Sequence, residues 1–201
     1  MPGSTDLTAL LAGPVLDVAP RLLGAVLRHG PVAVRVTEVE AYDGPNDPGS
    51  HAYRGRTDRN AVMFGPPGRL YVYFTYGMHH CCNVVVGEPG RPSAVLLRAG
   101  EVIDGLELAR ERRSVSNDRD LARGPARLCR ALDITREQDG ADLSVPPLTL
   151  TPGDPVPRHE AGPRVGLRGA PDRPWRFWLP GEQSVSTYRP AAPLRPRRHP
   201  M

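Results

Sequence analysis

The chain has no lysine. All 26 of its basic residues are arginines, and a guanidinium with a pKa above about 12 cannot supply the neutral amine that a Schiff base to a sugar aldehyde requires. Only the N-terminal amine is left for that chemistry. Cysteine is scarce as well: Cys81, Cys82 and Cys129 form no even set and two are adjacent, which argues against a disulfide framework and for a reducing compartment. No apolar run reaches the roughly 18 residues of a membrane span, and the opening Met1-Pro2-Gly3-Ser4-Thr5-Asp6 lacks the basic start and apolar stretch of a signal peptide. A soluble, cytoplasmic protein with no membrane contact is expected. The excess of positive charge is small, +4 with a pI near 9.3, and gives only weak support to a polyanionic partner.

What is present suits one core: 201 residues at 39% hydrophobic make a single domain the economical reading. Its 24 prolines and 21 glycines thicken after residue 144, and no repeat or heptad is visible. Residues 1–14 read as a loose N-terminus. Asp17 to Leu27 reads as a short helix with Asp17 at its cap and Pro20 in its first turn. Val32 to Ala41 alternates as a strand does, and the Gly-, Pro-, Asp- and Asn-rich segment from Tyr42 to Gly68 is a long loop of the kind that usually carries function. Leu70 to Thr75 and His79 to Val86 read as a hairpin turned at Gly77. Ala94 to Ala99 follows as a buried strand. Helices are expected over Asp104 to Arg113 and Ala126 to Leu132, the second opened by Gly124-Pro125. Arg164 to Leu167 and Trp175 to Leu179 read as late strands. The domain is expected to span 1–190, with 191–201, carrying Arg195, Arg197 and Arg198, as a disordered basic tail.

Several residues could carry chemistry. Glu38 and Glu40 share one strand face with Cα atoms about 6.6 Å apart. They are either a glycosidase pair or, as the spacing alone favours, two solvated carboxylates. Seven of the eleven aromatics lie between Tyr42 and Tyr76. Tyr71 and Tyr73 alternate with Leu70, Val72 and Phe74, putting tyrosines on one face and apolar side chains on the core side. That face serves equally as a stacking platform for bases or as an ordinary amphipathic strand. Tyr76, beside Gly77 at the hairpin tip, has no place in a core and suits a wedge that enters a duplex. His51 alone is more often a loop histidine than a base. Neighbours in His79-His80-Cys81-Cys82 alternate faces, so zinc is discounted, and the deaminase pattern is absent. Arg98, ending an apolar strand, needs a carboxylate, and Glu40 is a candidate.

At Val39-Glu40-Ala41-Tyr42, Leu70-Tyr71-Val72-Tyr73, Tyr76-Gly77-Met78 and Leu96-Leu97-Arg98-Ala99 the chain resembles the alkyladenine (3-methyladenine) DNA glycosylase family. The likeness runs from about Leu16 to Ser186 and includes Gly124-Pro125-Ala126-Arg127-Leu128-Cys129 and Arg164-Val165-Gly166. It implies an α+β domain with a curved, mostly antiparallel sheet, surrounding helices and a protruding β-hairpin that intercalates into DNA. It also implies a monomeric, nucleoid-associated enzyme without cofactor or metal. The enzyme would release 3-methyladenine, 7-methylguanine, hypoxanthine or ethenoadenine from double-stranded DNA and leave the backbone uncut.

By that resemblance Glu40 activates water, with Arg98 and the Val165 carbonyl holding it. Tyr42, His51 and Tyr73 sandwich the flipped base, Asn83 crowds out guanine's exocyclic amine, Tyr76 is the wedge and Met78 a flanking contact. Glu38 then becomes structural. Arg56 and Arg59 are the best candidates for phosphate contacts, although Asp58, where the family usually has proline, puts a negative charge between them. A non-catalytic binder of damaged or bent DNA is the alternative from another class, and a glycosidase of free nucleosides or RNA a second.

Overall fold

Long alternating runs of valine, leucine and alanine build the molecule's centre. Among the residues that the computed structural model describes, 6–75, 77–114 and 117–193, eight strands form one curved antiparallel sheet. They are β1 (Val26–His29), β2 (Val32–Tyr42), β3 (Leu70–Thr75), β4 (His79–Val86), β5 (Ser93–Asp104), β6 (Leu148–Thr151), β7 (Glu160–Gly162) and β8 (Arg176–Trp178). The order is β3-β4-β5-β2-β1-β6, and β8 joins β7 to the C-terminal half of β2. Among the described residues four short α-helices accompany the sheet: α1 (Leu7–Leu11), α2 (Val15–Arg21), α3 (Leu106–Arg112) and α4 (Pro125–Leu132).

One face of the sheet meets the helices. Leu70, Val72, Cys82, Val84, Val95, Leu97 and Val39 pack there with Leu22, Leu23, Leu128 and Leu132, all essentially inaccessible. Each such side chain contributes roughly 1.5–3 kcal/mol through burial. α4 lies across β4 and β5, with Pro125 at its first position, where a missing N–H costs nothing. A smaller cluster on the opposite face, Ala52, Met63, Tyr71, Val85 and Ala94, supports the walls of a cavity.

The hairpin is present in the expected register, Tyr73 opposite Cys81 and Thr75 opposite His79. Gly77 turns it at φ +69°, a conformation that a side chain would strain. Tyr76 and residues 194–201, with Arg195, Arg197 and Arg198, lie outside the described residues.

Several expectations need correction. The N-terminal segment is not loose throughout: Asp6 caps α1 through the Thr8 amide, and Leu10 and Leu11 reach the core. α2 stops at Arg21 rather than Leu27, because Gly24 turns the chain at φ +83° and Val26 begins pairing with Arg35. Pro14, not Asp17, stands at the cap of α2, and Pro20 sits in its last turn. Phe74 does not join the core: β3 runs beyond it toward the hairpin tip, leaving that ring 45% exposed. Arg164 to Leu167 is no strand but part of a loop turning at Val165 and Gly166. β5 continues past Ala99 to Asp104, whereas β1, β6 and β7, all short, were not foreseen.

Candidate active site

The strand period brings Glu38 and Glu40 to one face, as expected, but neither is solvated: both are 0% exposed. Buried charges need partners. Irregular pairing supplies one. Leu97 and Ala99 oppose Val39 and Glu38, so Arg98 is the extra residue of a bulge in β5, which re-aims side chains. Arg98 Nε donates to Glu38 at 3.0 Å, and its Nη1 lies 3.4 Å from Glu40 Oε1. The expected pair with Glu40 therefore exists, but the tighter partner is Glu38. Burial opposes the charge on Arg98, yet Glu40 and Glu38 outweigh it and raise the guanidinium pKa further.

Glu40 is held on both oxygens. Oε1 accepts the Val165 N–H at 2.7 Å and Oε2 accepts the Tyr42 hydroxyl at 2.8 Å. Burial first, then the Glu40 charge, pushes the Tyr42 phenol well above its usual range, so it remains a donor. The residue that the resemblance marks for its carbonyl thus reaches the carboxylate through its amide.

Glu40 and Arg98 line a cavity of about 220 Å³ with Tyr42, His51, Tyr73 and Asn83. That is below the roughly 300–1,000 Å³ of drug-sized pockets and suits a single heterocycle. All six expected catalytic and base-contacting side chains meet here, and Val165 also lines the cavity.

The walls are fixed from behind. The Arg164 guanidinium lies 4.6 Å from the centre of the Tyr42 ring and 5.1 Å from that of Trp175. It donates to Ala41 O at 2.9 Å and grips Asp47 with both terminal nitrogens, one at 2.7 Å, with no solvent access to either side chain. Gly49 lies against this pair, and a Cβ there would meet Leu167 Cδ2 at 2.5 Å, so a side chain at 49 would displace the Leu167 methyls. His51 shares a 3.0 Å hydrogen bond with Tyr71 and stands edge-on to Tyr73 at 4.5 Å. Although His51 remains exposed at the rim, desolvation by this packing, with a smaller push from Arg59, lowers its pKa to about 4 and keeps it neutral at physiological pH. Burial pushes Tyr71 up to about 12 and raises Tyr73 well above its ordinary value. Asn83 is buried, with its amide nitrogen anchored on Tyr71 O at 3.2 Å.

Outside the cavity, Arg56, Asp58 and Arg59 are exposed on the long loop. Arg59 touches Phe74 O at 3.4 Å and lies 5.6 Å from the Tyr73 ring centre, so this loop reaches the hairpin. Met78 is 67% exposed near the tip. Cys81 faces the cavity with its pKa raised to about 11 by burial, which makes it a poor nucleophile, while Cys82 turns into the core. Among the described residues no three His, Cys, Asp or Glu side chains converge on a metal position.

The sequence reading missed Asp47, Arg164, Arg176 and Ser186 as supports of the site. Arg164 lay inside a quoted motif but without a role. Asp47 was one of several acids in a loop, and Ser186 meets Glu38 across 148 positions, so neither carried a local signal.

An aromatic-walled cavity with a buried carboxylate and guanidinium in its lining, set against one curved antiparallel sheet, defines an α+β protein with a pocket for a small aromatic group. Comparison with known proteins narrows the class. Residues 9–183 match the model of the family described as methylpurine-DNA glycosylase. A protein of Streptomyces avermitilis named "Putative 3-methyladenine DNA glycosylase" is 60% identical, over 98% of this chain and 98% of its own length. Proteins of the same name from Leifsonia xyli subsp. xyli and Frankia casuarinae are 58% and 55% identical, covering 87% and 92% of this chain. The chain belongs to the methylpurine-DNA glycosylase family, which makes DNA its substrate and DNA repair its setting.

Proposed function

We propose that this protein extrudes a damaged purine from duplex DNA into the 220 Å³ cavity and hydrolyses its N-glycosidic bond. The observation that carries the reading is Glu40, buried in the floor of an aromatic slot with Arg98 3.4 Å away. Glu40 orients a water toward the sugar C1′ and takes its proton, and Arg98 and the Val165 carbonyl complete the hold on that water. One carboxylate suffices where the base is 3-methyladenine or 7-methylguanine, because an alkylated purine is already cationic and leaves readily. Neutral hypoxanthine and ethenoadenine demand more of the pocket.

Tyr42, His51 and Tyr73 stack on the base, at roughly 1–3 kcal/mol per stacked base, with an additional cation–π term for a charged one. A neutral His51 avoids repelling such a cation. Asn83 rejects guanine through its exocyclic amine. Tyr76 fills the gap in the duplex, Gly77 shapes the tip, Met78 flanks it, and Arg56 and Arg59 meet phosphates. With no lysine for a Schiff base, the enzyme is monofunctional and leaves an intact abasic strand. We take it to act as a monomer in the cytoplasm.

The test is direct. Duplexes carrying 3-methyladenine, 7-methylguanine, hypoxanthine or ethenoadenine are incubated with the native protein, then analysed with and without alkali. Release of base with strand breakage only after alkali is expected. Tight binding without any alkali-labile site would favour a non-catalytic damage binder, and nicking without alkali would refute the monofunctional reading.

A further inference from the structure

Behind the cavity floor lies a cluster that the hydrolysis itself does not use. Glu38 Oε1 accepts from Arg176 Nε at 2.6 Å, from Ser186 Oγ at 2.9 Å and from Arg98 Nε at 3.0 Å, while Oε2 accepts the Ser186 N–H at 2.7 Å. Arg176 is turned toward it by Ser186 O at 2.9 Å and by the Trp178 ring, 4.6 Å from its guanidinium. Glu38 does not line the cavity and is wholly inaccessible, so it does not touch a substrate. Glu38, Glu40, Arg98 and Arg176 are each less than a tenth exposed. Two negative and two positive charges cancel there, away from solvent screening.

We propose that Glu38 is a positioning residue with an electrostatic duty: it cancels one of two buried guanidinium charges and anchors Arg98, so that the cavity floor is not net positive when a cationic purine enters. This rests on the glycosylase reading above. Without the Glu38 charge, Glu40 alone would face two guanidinium groups and the cluster would carry one uncompensated positive charge. An alkylated, cationic base brings its own positive charge from free DNA through to the transition state, where the charge passes to the sugar. Its kcat/KM therefore feels the full repulsion. A hypoxanthine nucleotide has a neutral reacting unit in both states, separating charge only between sugar and base, so its kcat/KM feels much less. Glu38 thereby sets the preference for charged over neutral lesions, which a purely architectural role would not do.

The experiment compares kcat/KM on duplexes containing 7-methylguanine, cationic, and hypoxanthine, neutral, for the native protein, Glu38→Gln and the double variant Glu38→Gln/Arg176→Gln. In Glu38→Gln the ratio of 7-methylguanine to hypoxanthine activity should fall about tenfold, the scale of one unscreened charge roughly 12 Å away at an effective dielectric near 20. The double variant, which removes one charge of each sign, should regain the native ratio even if it melts lower. Equal losses on both lesions in folded Glu38→Gln would overturn the proposal, as would a double variant that keeps the altered ratio. If Glu38→Gln does not fold, Arg176→Gln alone is read: one positive charge fewer should raise the ratio about tenfold, and an unchanged ratio overturns the idea. Release of neither base by the native protein would instead bring down the glycosylase reading, and this proposal with it.

Discussion

Replacing Glu40 by glutamine changes one charge in the cavity floor at nearly constant shape. The amide oxygen still accepts the Val165 N–H, now 2.7 Å from Oε1, but as a neutral acceptor. The amide nitrogen takes the place of Oε2, 2.8 Å from Tyr42, whose hydroxyl must reverse and accept. Two charge-assisted bonds become ordinary ones, at about 1 kcal/mol each. Arg98 keeps its 3.0 Å bond to Glu38 and is not orphaned. The cluster is also left with one positive charge in excess, which brings the total toward the about 3–5 kcal/mol of a broken buried pair, still below the ~5–15 kcal/mol stability of most domains, so Glu40→Gln should fold. Its stacking walls are untouched, so affinity for a duplex carrying the neutral lesion hypoxanthine should change by less than about tenfold. Chemistry should suffer far more: loss of a general base typically costs about 10²–10⁴ in rate. Single-turnover assays with enzyme in excess, quantified after alkali, measure the rate, and electrophoretic mobility shifts measure the binding. A folded Glu40→Gln that releases base within about tenfold of the native rate would refute the assignment of Glu40 as the base.

Three further outcomes are expected. Asp47→Ala strips Arg164 of the one carboxylate within hydrogen-bond range among the described residues, with both side chains inaccessible to solvent, and breaking such a pair costs about 3–5 kcal/mol. Calorimetry should show it, and a loss under about 1 kcal/mol would contradict the burial argument. His51 has a folded-state pKa of about 4, below its ordinary 6.5, so as pH falls the unfolded chain takes up the proton first. The stability tied to neutral His51 is complete above about pH 6.5 and is lost as pH falls through that window toward 4. Urea midpoints should therefore drop less steeply with acid in His51→Gln than in the native protein, and parallel slopes would sink the point. Tyr76→Ala should keep the native melting temperature and slow base release from duplex by about tenfold, the value of one lost stacking contact. An unchanged rate would remove the wedge.

Local patterns served well where neighbours in sequence are also neighbours in space. The hairpin of β3 and β4 follows from two β-rich runs around Gly77, and α4 from Gly124-Pro125 ahead of a helical spacing. The same rules failed on short segments whose conformation is chosen by distant partners. β1 exists because β2 and β6 flank it, overriding the helical look of Asp17 to Leu27. Arg164 leaves the expected strand because Asp47 and the Tyr42 ring hold its guanidinium.

The candidate site divides in the same way. Its parts are legible in the sequence: an acid on a strand, tyrosines on one face of a second strand, an arginine that needs a carboxylate, and a lysine-free chain that leaves only the N-terminal amine for a Schiff base. Those conclusions depend on residue type and on period-two alternation, which short-range geometry dictates. Folding decided the rest: that both acids are buried, that the β5 bulge gives Arg98 chiefly to Glu38, and that Ser186, Arg176 and Asp47 converge from far along the chain. A buried charge accepts only a partner in contact with it, and contact across more than a hundred residues is a property of the folded chain.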